Sequence, residues 1–198
     1  MIENYIIKML SYAIAFSLIY ITIKSIYLKH NNKKFILKSE IVYIIFGAYI
    51  TALLSQTIMP IWHIFYFDGR PKIEIYTYKH RSLNMVPFKT IFFYFTGADN
   101  LYGDDSMTIS MVNLLGNVCV FVPFGFLFPI AFKKLSKFPI PVISGALLSV
   151  FIEIMQIFVE RSSDIDDVIL NTIGAFLGFT CYGLLSLTNK RIRDIQEE

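Results

Sequence analysis

Five stretches of this chain are so long and so apolar that a bilayer, not water, is the solvent they are built for. They run from about Tyr5 to Leu28, Ile41 to Met59, Thr108 to Phe132, Phe138 to Val159 and Val168 to Leu187. An apolar helix of about 20 residues crosses the hydrocarbon core of a membrane. Backbone polar groups find no water there, so a spanning segment must satisfy them internally, as a helix does. Hydrophobic residues make up 55% of the 198 and charged residues only 17%, which is too apolar for a soluble domain. The expected fold is all-α: one polytopic helical bundle of about five spans, forming a single membrane domain over residues 1–198. The first run is too long for the apolar core of a signal peptide and lacks a basic leader, so it reads as a true span.

Charge placement orients the bundle. Lys24, Lys29, His30, Lys33, Lys34 and Lys38 follow the first span, Lys133, Lys134 and Lys137 the third, and Lys190, Arg191 and Arg193 the fifth. All fall on one side, which the positive-inside rule makes cytoplasmic. The N-terminus is then outside and the C-terminus inside. The outer side holds the long connection Asp68 to Ser106 and the turn Glu160 to Asp167. Trp62 to Phe67 reads as an interfacial aromatic stretch. Asn84 to Phe95 is too apolar for a free loop and too short to span, which fits an interfacial or re-entrant segment. Asp99 to Asp105 reads as a turn.

Within this scaffold a few polar groups recur at one depth. Glu153 lies about 15 residues past the cytoplasmic end of its span, roughly 22 Å into a core about 30 Å thick. Asn113 and Asn117 lie in the outer turns of the third span and Asn171 in those of the fifth. Intramembrane polar groups are costly and mark function by default, so these residues are expected to meet in a polar pocket open to the outer leaflet. Glu153 and Gln156 share a helix face at i and i+3. Either they bond across the bundle as interhelical glue, or Glu153 is a buried acid able to exchange a proton or meet a cation.

The turn between the last two spans carries Arg161, Ser163, Asp164, Asp166 and Asp167. Ser163 with Asp166 resembles a capping box for the helix that follows. Three aspartates exceed what a cap needs, but their spacing is not that of an EF-hand, and no metal is expected. His63 and His80 stand too far from other ligands to change that. Arg161 either balances nearby carboxylates or clamps a phosphate. Gly174 and Gly178 provide a seam where a helix can approach closely, and Pro123 with Gly125 marks a kink or close packing in the third span. Cys119 and Cys181 are expected to pack in the core. No P-loop, Ser-His-Asp order, HExxH or paired CxxC motif occurs, and no cofactor or nucleic-acid partner is expected.

Taken in order, Asn84-x-x-Pro87-Phe88, Asn113-x-x-x-Asn117-x-x-x-Phe121-x-Pro123-Phe124-Gly125, Glu153-x-x-Gln156, Arg161 and the run Asp164 to Gly178 resemble the VanZ-like family. The resemblance covers about Ile41 to Leu187 and leaves the first span and the tail outside it. It implies a small integral protein of the bacterial plasma membrane. Founding members of the family are associated with low-level glycopeptide resistance, to teicoplanin more than to vancomycin. With the polar residues above, it suggests a protein that binds an envelope lipid or a lipid-linked cell-wall precursor. Arg161 would meet phosphate, and Asn84, Asn113, Asn117 and Asn171 would supply hydrogen bonds. Asp164, Asp166 and Asp167 would line the site, with Glu153 and Gln156 as its floor. Two alternatives stand beside this: an intramembrane enzyme with Glu153 and Asp167 as acid and base, and an accessory subunit presenting Gly174 and Gly178 to an envelope protein partner.

Overall fold

The structure is a computed structural model that describes residues 2–35, 37–59, 61–76, 82–96 and 105–188. His80, Asp99 to Asp104 and the basic tail beyond Thr188 lie outside the described residues. Five helices are long and apolar enough to cross a membrane: Ile6–His30, Glu40–Thr57, Met111–Ala131, Ile140–Phe158 and Ile165–Leu187. They coincide with the five apolar runs, and the chain is an all-α polytopic bundle. What the sequence reads as one domain gathers its contacts into two compact units, Met1–Arg81 with Met155–Ser162, and Ser82–Ile154 with Ser163–Glu198.

In the first unit, α1 (Ile2–His30) packs on α2 (Leu37–Thr57). Gly47 lets the Phe16 ring lie against the α2 backbone, where any Cβ would collide with it. Near the opposite end of α1 the buried Glu40 accepts a hydrogen bond from Tyr20 Oη and pairs with Lys24 Nζ at 3.2 Å. A carboxylate in lipid-length helices must be compensated in this way.

The aromatic stretch that follows is a β-strand. β1 (Ile61–Phe67) pairs antiparallel with β2 (Arg70–Tyr76), from Ile61 opposite Tyr76 to Phe67 opposite Arg70. Asp68 and Gly69 close the hairpin with φ of 54° and 70°. A two-residue hairpin of this hand needs positive φ at both positions, and Asp-Gly is a preferred pair for it. Lys72 Nζ caps the ring of Phe67 at 4.2 Å from its centroid.

The second unit holds β3 (Leu83–Asn84), α3 (Lys89–Phe95), α4 (Asp105–Ala131), α5 (Ile140–Phe158), β4 (Ser163–Asp164) and α6 (Ile165–Thr188). Its frame is the contact of α4 with α6. A Cβ on Gly174 would overlap Val118 O, one on Gly178 would overlap Val122 O, and one on Gly125 would overlap Ala175 O. The register rises together on both helices, so they run parallel, backbone against backbone. Association in lipid relies on such close packing because lipid tails are as apolar as the side chains. The seam formed by Gly174 and Gly178 is therefore occupied by α4 of the same chain and is not presented to a partner. Phe121, Phe124, Phe128, Ile152 and Ala175 fill the core, with Phe124 and Phe128 stacked at 5.4 Å.

Cys119 and Cys181 are both exposed rather than in the core. In lipid the outward face is also apolar, so an apolar neighbourhood in sequence does not imply burial.

The glycine seam makes a direct prediction. Gly178→Leu should force α4 and α6 apart and destabilise the protein by about 3 kcal/mol or more. Gly183→Leu, at a position with nothing within 4 Å of a Cβ, should leave stability nearly unchanged. Thermal unfolding of both variants in detergent checks this.

Candidate functional site

The turn between α5 and α6 is built around buried carboxylates. Asp164 stands immediately before α6, and its Oδ1 accepts the Asp166 N–H at 2.9 Å. That is an N-cap bond, so Asp164, not Ser163, caps the helix. The backbone N–H of Asp164 donates to Glu153 Oε2 at 2.8 Å, tying the turn to the buried end of α5.

Asp166 does not serve its own helix as a capping box would. It is fully buried and caps α3 instead. Phe88 N–H donates to its Oδ1, while Thr90 and Ile91 N–H donate to Oδ2 at 2.7 and 3.0 Å. The first N–H groups of any helix lack intrahelical partners and attract negative charge. Phe88, the residue at the cap position of α3, has φ of 65° and offers no side-chain bond. A carboxylate some 76 residues away in sequence supplies it.

Asn84 and Thr90 close the knot. Asn84 Nδ2 donates to Asp164 Oδ1 at 2.9 Å and to Thr90 Oγ1 at 3.0 Å, and its Oδ1 accepts Val86 N–H at 3.2 Å. Thr90 Oγ1 donates to Asp164 Oδ2. A short parallel bridge sets Asn84 opposite Asp164, with Ser163 N–H on Ser82 O at 3.0 Å. The segment read from sequence as interfacial or re-entrant is thus a short helix pinned at its N-terminus. None of its residues is buried, and Met85, Phe88, Phe92 and Phe95 are each more than 60% exposed, which leaves a fixed aromatic face.

A second polar row lies along α6. Asp167 accepts a hydrogen bond from Asn117 Nδ2 on α4 and feels the repulsion of Glu153, Asp164 and Asp166. One turn on, the buried Asn171 donates from Nδ2 to Ser149 Oγ at 2.8 Å, and its Oδ1 has no hydrogen-bond partner among the described residues.

Some of the polar residues singled out in the sequence are brought together. Asn84, Glu153, Asp164 and Asp166 meet in one network, and Asn117 joins Asp167. Asn113 is exposed on α4 and shares none of these bonds. Gln156 and Arg161 belong to the first unit. There Arg161 Nη1 donates to Gln56 O at 2.8 Å, at the end of α2, and Arg161 N–H to Gln156 O at 2.9 Å. Among the described residues no group of three or more His, Cys, Asp or Glu is placed to hold a metal ion. Two participants escaped the sequence reading. Ser149 sits at i−4 to Glu153, a spacing that puts both on one face of α5; Thr90 gave no local signal.

Residues 40–186 match the VanZ/LLP1 family, a segment that contains every residue of the knot. The chain belongs to that family. Protein VanZ of Enterococcus faecium is 34% identical over 125 residues, which cover 63% of this chain and 66%, just under two thirds, of that relative. No solved structure gives a significant match. The helix α1 lies ahead of the family segment.

The knot separates two kinds of substitution. Asp166→Asn exchanges one oxygen that receives N–H groups for an amide donor, at a cost of roughly 3 kcal/mol. Hydrogen exchange over residues 82–96 should accelerate sharply. Glu153→Gln keeps a carbonyl acceptor for Asp164 N–H and should cost no more than about 1 kcal/mol, with exchange in that segment close to wild type.

Proposed function

We propose that this VanZ/LLP1 protein sits with its knot at the outer leaflet, where it binds an envelope lipid or a lipid-linked cell-wall precursor. By doing so it limits the access of teicoplanin-type glycopeptides to their target. The observation that carries this reading is α3. Asp166 of α6, with Asp164 just before that helix, fixes a short aromatic segment whose apolar side chains are exposed. Rigid exposed aromatics suit the headgroup and upper acyl region of a bilayer, and fixing them beforehand lowers the entropy lost on binding. The basic connections after α1 and α4 support the orientation, with the N-terminus outside. The match to Protein VanZ of Enterococcus faecium links the reading to the family's glycopeptide phenotype.

The geometry favours binding over acid–base chemistry. Glu153 Oε2 holds a backbone N–H of the turn, and Asp167 is bonded to Asn117. Both carboxylates thus hold parts of the fold, which gives each a structural role without a reaction.

Full-length protein reconstituted in nanodiscs of mixed envelope lipids tests the proposal. Wild type should retain one lipid class in preference to the others, and Phe92→Gln combined with Phe95→Gln should weaken that preference about tenfold. In a glycopeptide-sensitive host the double variant, at matched membrane level, should lose protection against teicoplanin. Wild-type protein that shows no preference among the lipids sinks the reading.

A further inference from the structure

The turn between α4 and α5, at the end of the second unit opposite the knot, gathers three lysines. Lys133 and Lys134 stand in a single 3-10 turn, Lys133–Leu135, and Lys137 follows just before α5. All three are exposed, and among the described residues none of their side chains makes a hydrogen bond or an ion pair. No counter-charge is built in beside them. The acidic residues of α4, α5 and α6 are Asp105, Glu153, Asp166 and Asp167, which all stand towards the other end of those helices. The turn itself is held in place. Phe132 N–H donates to Phe128 O at 2.8 Å, Leu135 N–H to Phe132 O at 2.9 Å and Ile140 N–H to Lys137 O at 3.0 Å. The ring of Phe132 packs on Phe128 at 5.0 Å, and that of Phe138 on Phe179 of α6 at 6.2 Å. Even so, Phe132, Leu135 and Phe138 remain 38%, 44% and 63% exposed, so apolar side chains interleave with the cations. Cations beside the C-terminus of α4 suit its dipole, and the positive-inside rule accounts for basic residues at a span end. Neither calls for three exposed cations interleaved with exposed apolar side chains on a turn tied to two helices.

We propose that this turn is a docking surface for anionic phospholipid in the leaflet opposite the knot. The ammonium groups of Lys133, Lys134 and Lys137 meet headgroup phosphates, while Phe132, Leu135 and Phe138 enter the boundary between headgroups and acyl chains. An ammonium beside a phosphate oxygen makes a charge-assisted hydrogen bond, and basic segments next to spanning helices draw anionic lipid to them. The occupant follows from charge and place: cations without a counter-ion on their own helices, at the end of spans built for hydrocarbon, lie level with the phosphates of the bilayer. Because the turn leads from α4 into α5 and rests on α6, bound lipid ties together the ends of three helices. The surface is separate from the aromatic face of α3, and it stands or falls independently of the function proposed above.

Native mass spectrometry of full-length protein purified in detergent tests this, by titration with phosphatidylglycerol and, separately, with zwitterionic phosphatidylcholine of the same chains. Wild type should bind phosphatidylglycerol at least tenfold more tightly. Lys133→Gln, Lys134→Gln and Lys137→Gln together should abolish that preference, and Lys133→Arg, Lys134→Arg and Lys137→Arg together should retain it. A second triple variant, Lys29→Gln with Lys33→Gln and Lys34→Gln, removes the same charge from the connection after α1 and should bind as wild type does. Equal loss in both glutamine variants marks a response to net charge and overturns the surface. A folded variant of the α4–α5 turn that keeps the preference overturns it as well. Should that variant fail to fold, thermal unfolding of wild type decides instead. Phosphatidylglycerol should raise Tm, and by more at about 0.05 M than at about 0.5 M salt; stabilisation equal to that by phosphatidylcholine, or insensitive to salt, refutes the proposal.

Discussion

The second unit depends on one carboxylate. Asp166 lies wholly inside the protein, where an ion is expensive unless its oxygens are satisfied. Three backbone N–H groups from the start of α3 satisfy them. The exchange is reciprocal: a short helix with no buried residue and no cap of its own gains a terminus fixed in space, and the aspartate gains the environment that keeps it buried. A seven-residue helix is too short to persist on propensity alone. Its existence rests on tertiary contact, and the three bonds to Asp166 are part of that contact.

The anchor itself is held rigid by a different force. The residues of α6 that follow the aspartates pack against α4 at backbone distance through Gly125, Gly174 and Gly178. Asn117 on α4 meets Asp167, and Ser149 on α5 meets Asn171. The carboxylates therefore project from a helix fixed by contact on two sides. The chain puts its small residues deeper in the span and its charges at the mouth, which suits a helix that must be tightly packed in hydrocarbon and polar at the interface.

Much of this was legible in the sequence, and what was not has physical reasons. The spans were plain because hydrocarbon thickness imposes a length that no soluble helix needs. Glu153 stood out because polar groups within spans are rare, Asp164 and Asp166 because three aspartates exceed what a cap needs, and Asn84 through the family motif. These four meet, whereas Asn113, Asn117 and Asn171, expected at the depth of Glu153, do not join their network. Their division of labour was hidden. Ser163 and Asp166 have the spacing of a local capping box, but the partner of Asp166 is the N-terminus of α3, and no local rule reports a bond across 76 residues. The strand Ile61–Phe67 was masked by its aromatic content, although the turn Asp68-Gly69 carried a hairpin signal that deserved more weight. Cys119 and Cys181 were misplaced because apolarity stops distinguishing core from surface once the solvent is itself apolar.

The bonds these polar residues make differ from what their order along the chain suggests. Read along the chain, three aspartates, a glutamate and several asparagines look like the lining of a reactive pocket. In three dimensions most of their donors and acceptors are directed at one another or at the backbone: Asp164 at the start of α6, Asp166 at that of α3, Glu153 at the turn between them. A carboxylate so placed ties backbone ends together, a role that its position along the chain did not reveal. Clustering of these acidic residues is thus explained by the backbone ends they hold. The knot also holds in position the exposed aromatic side chains of α3. An apolar face fixed in this way is complementary to the acyl part of an amphiphile, which is the physical ground of the lipid proposal.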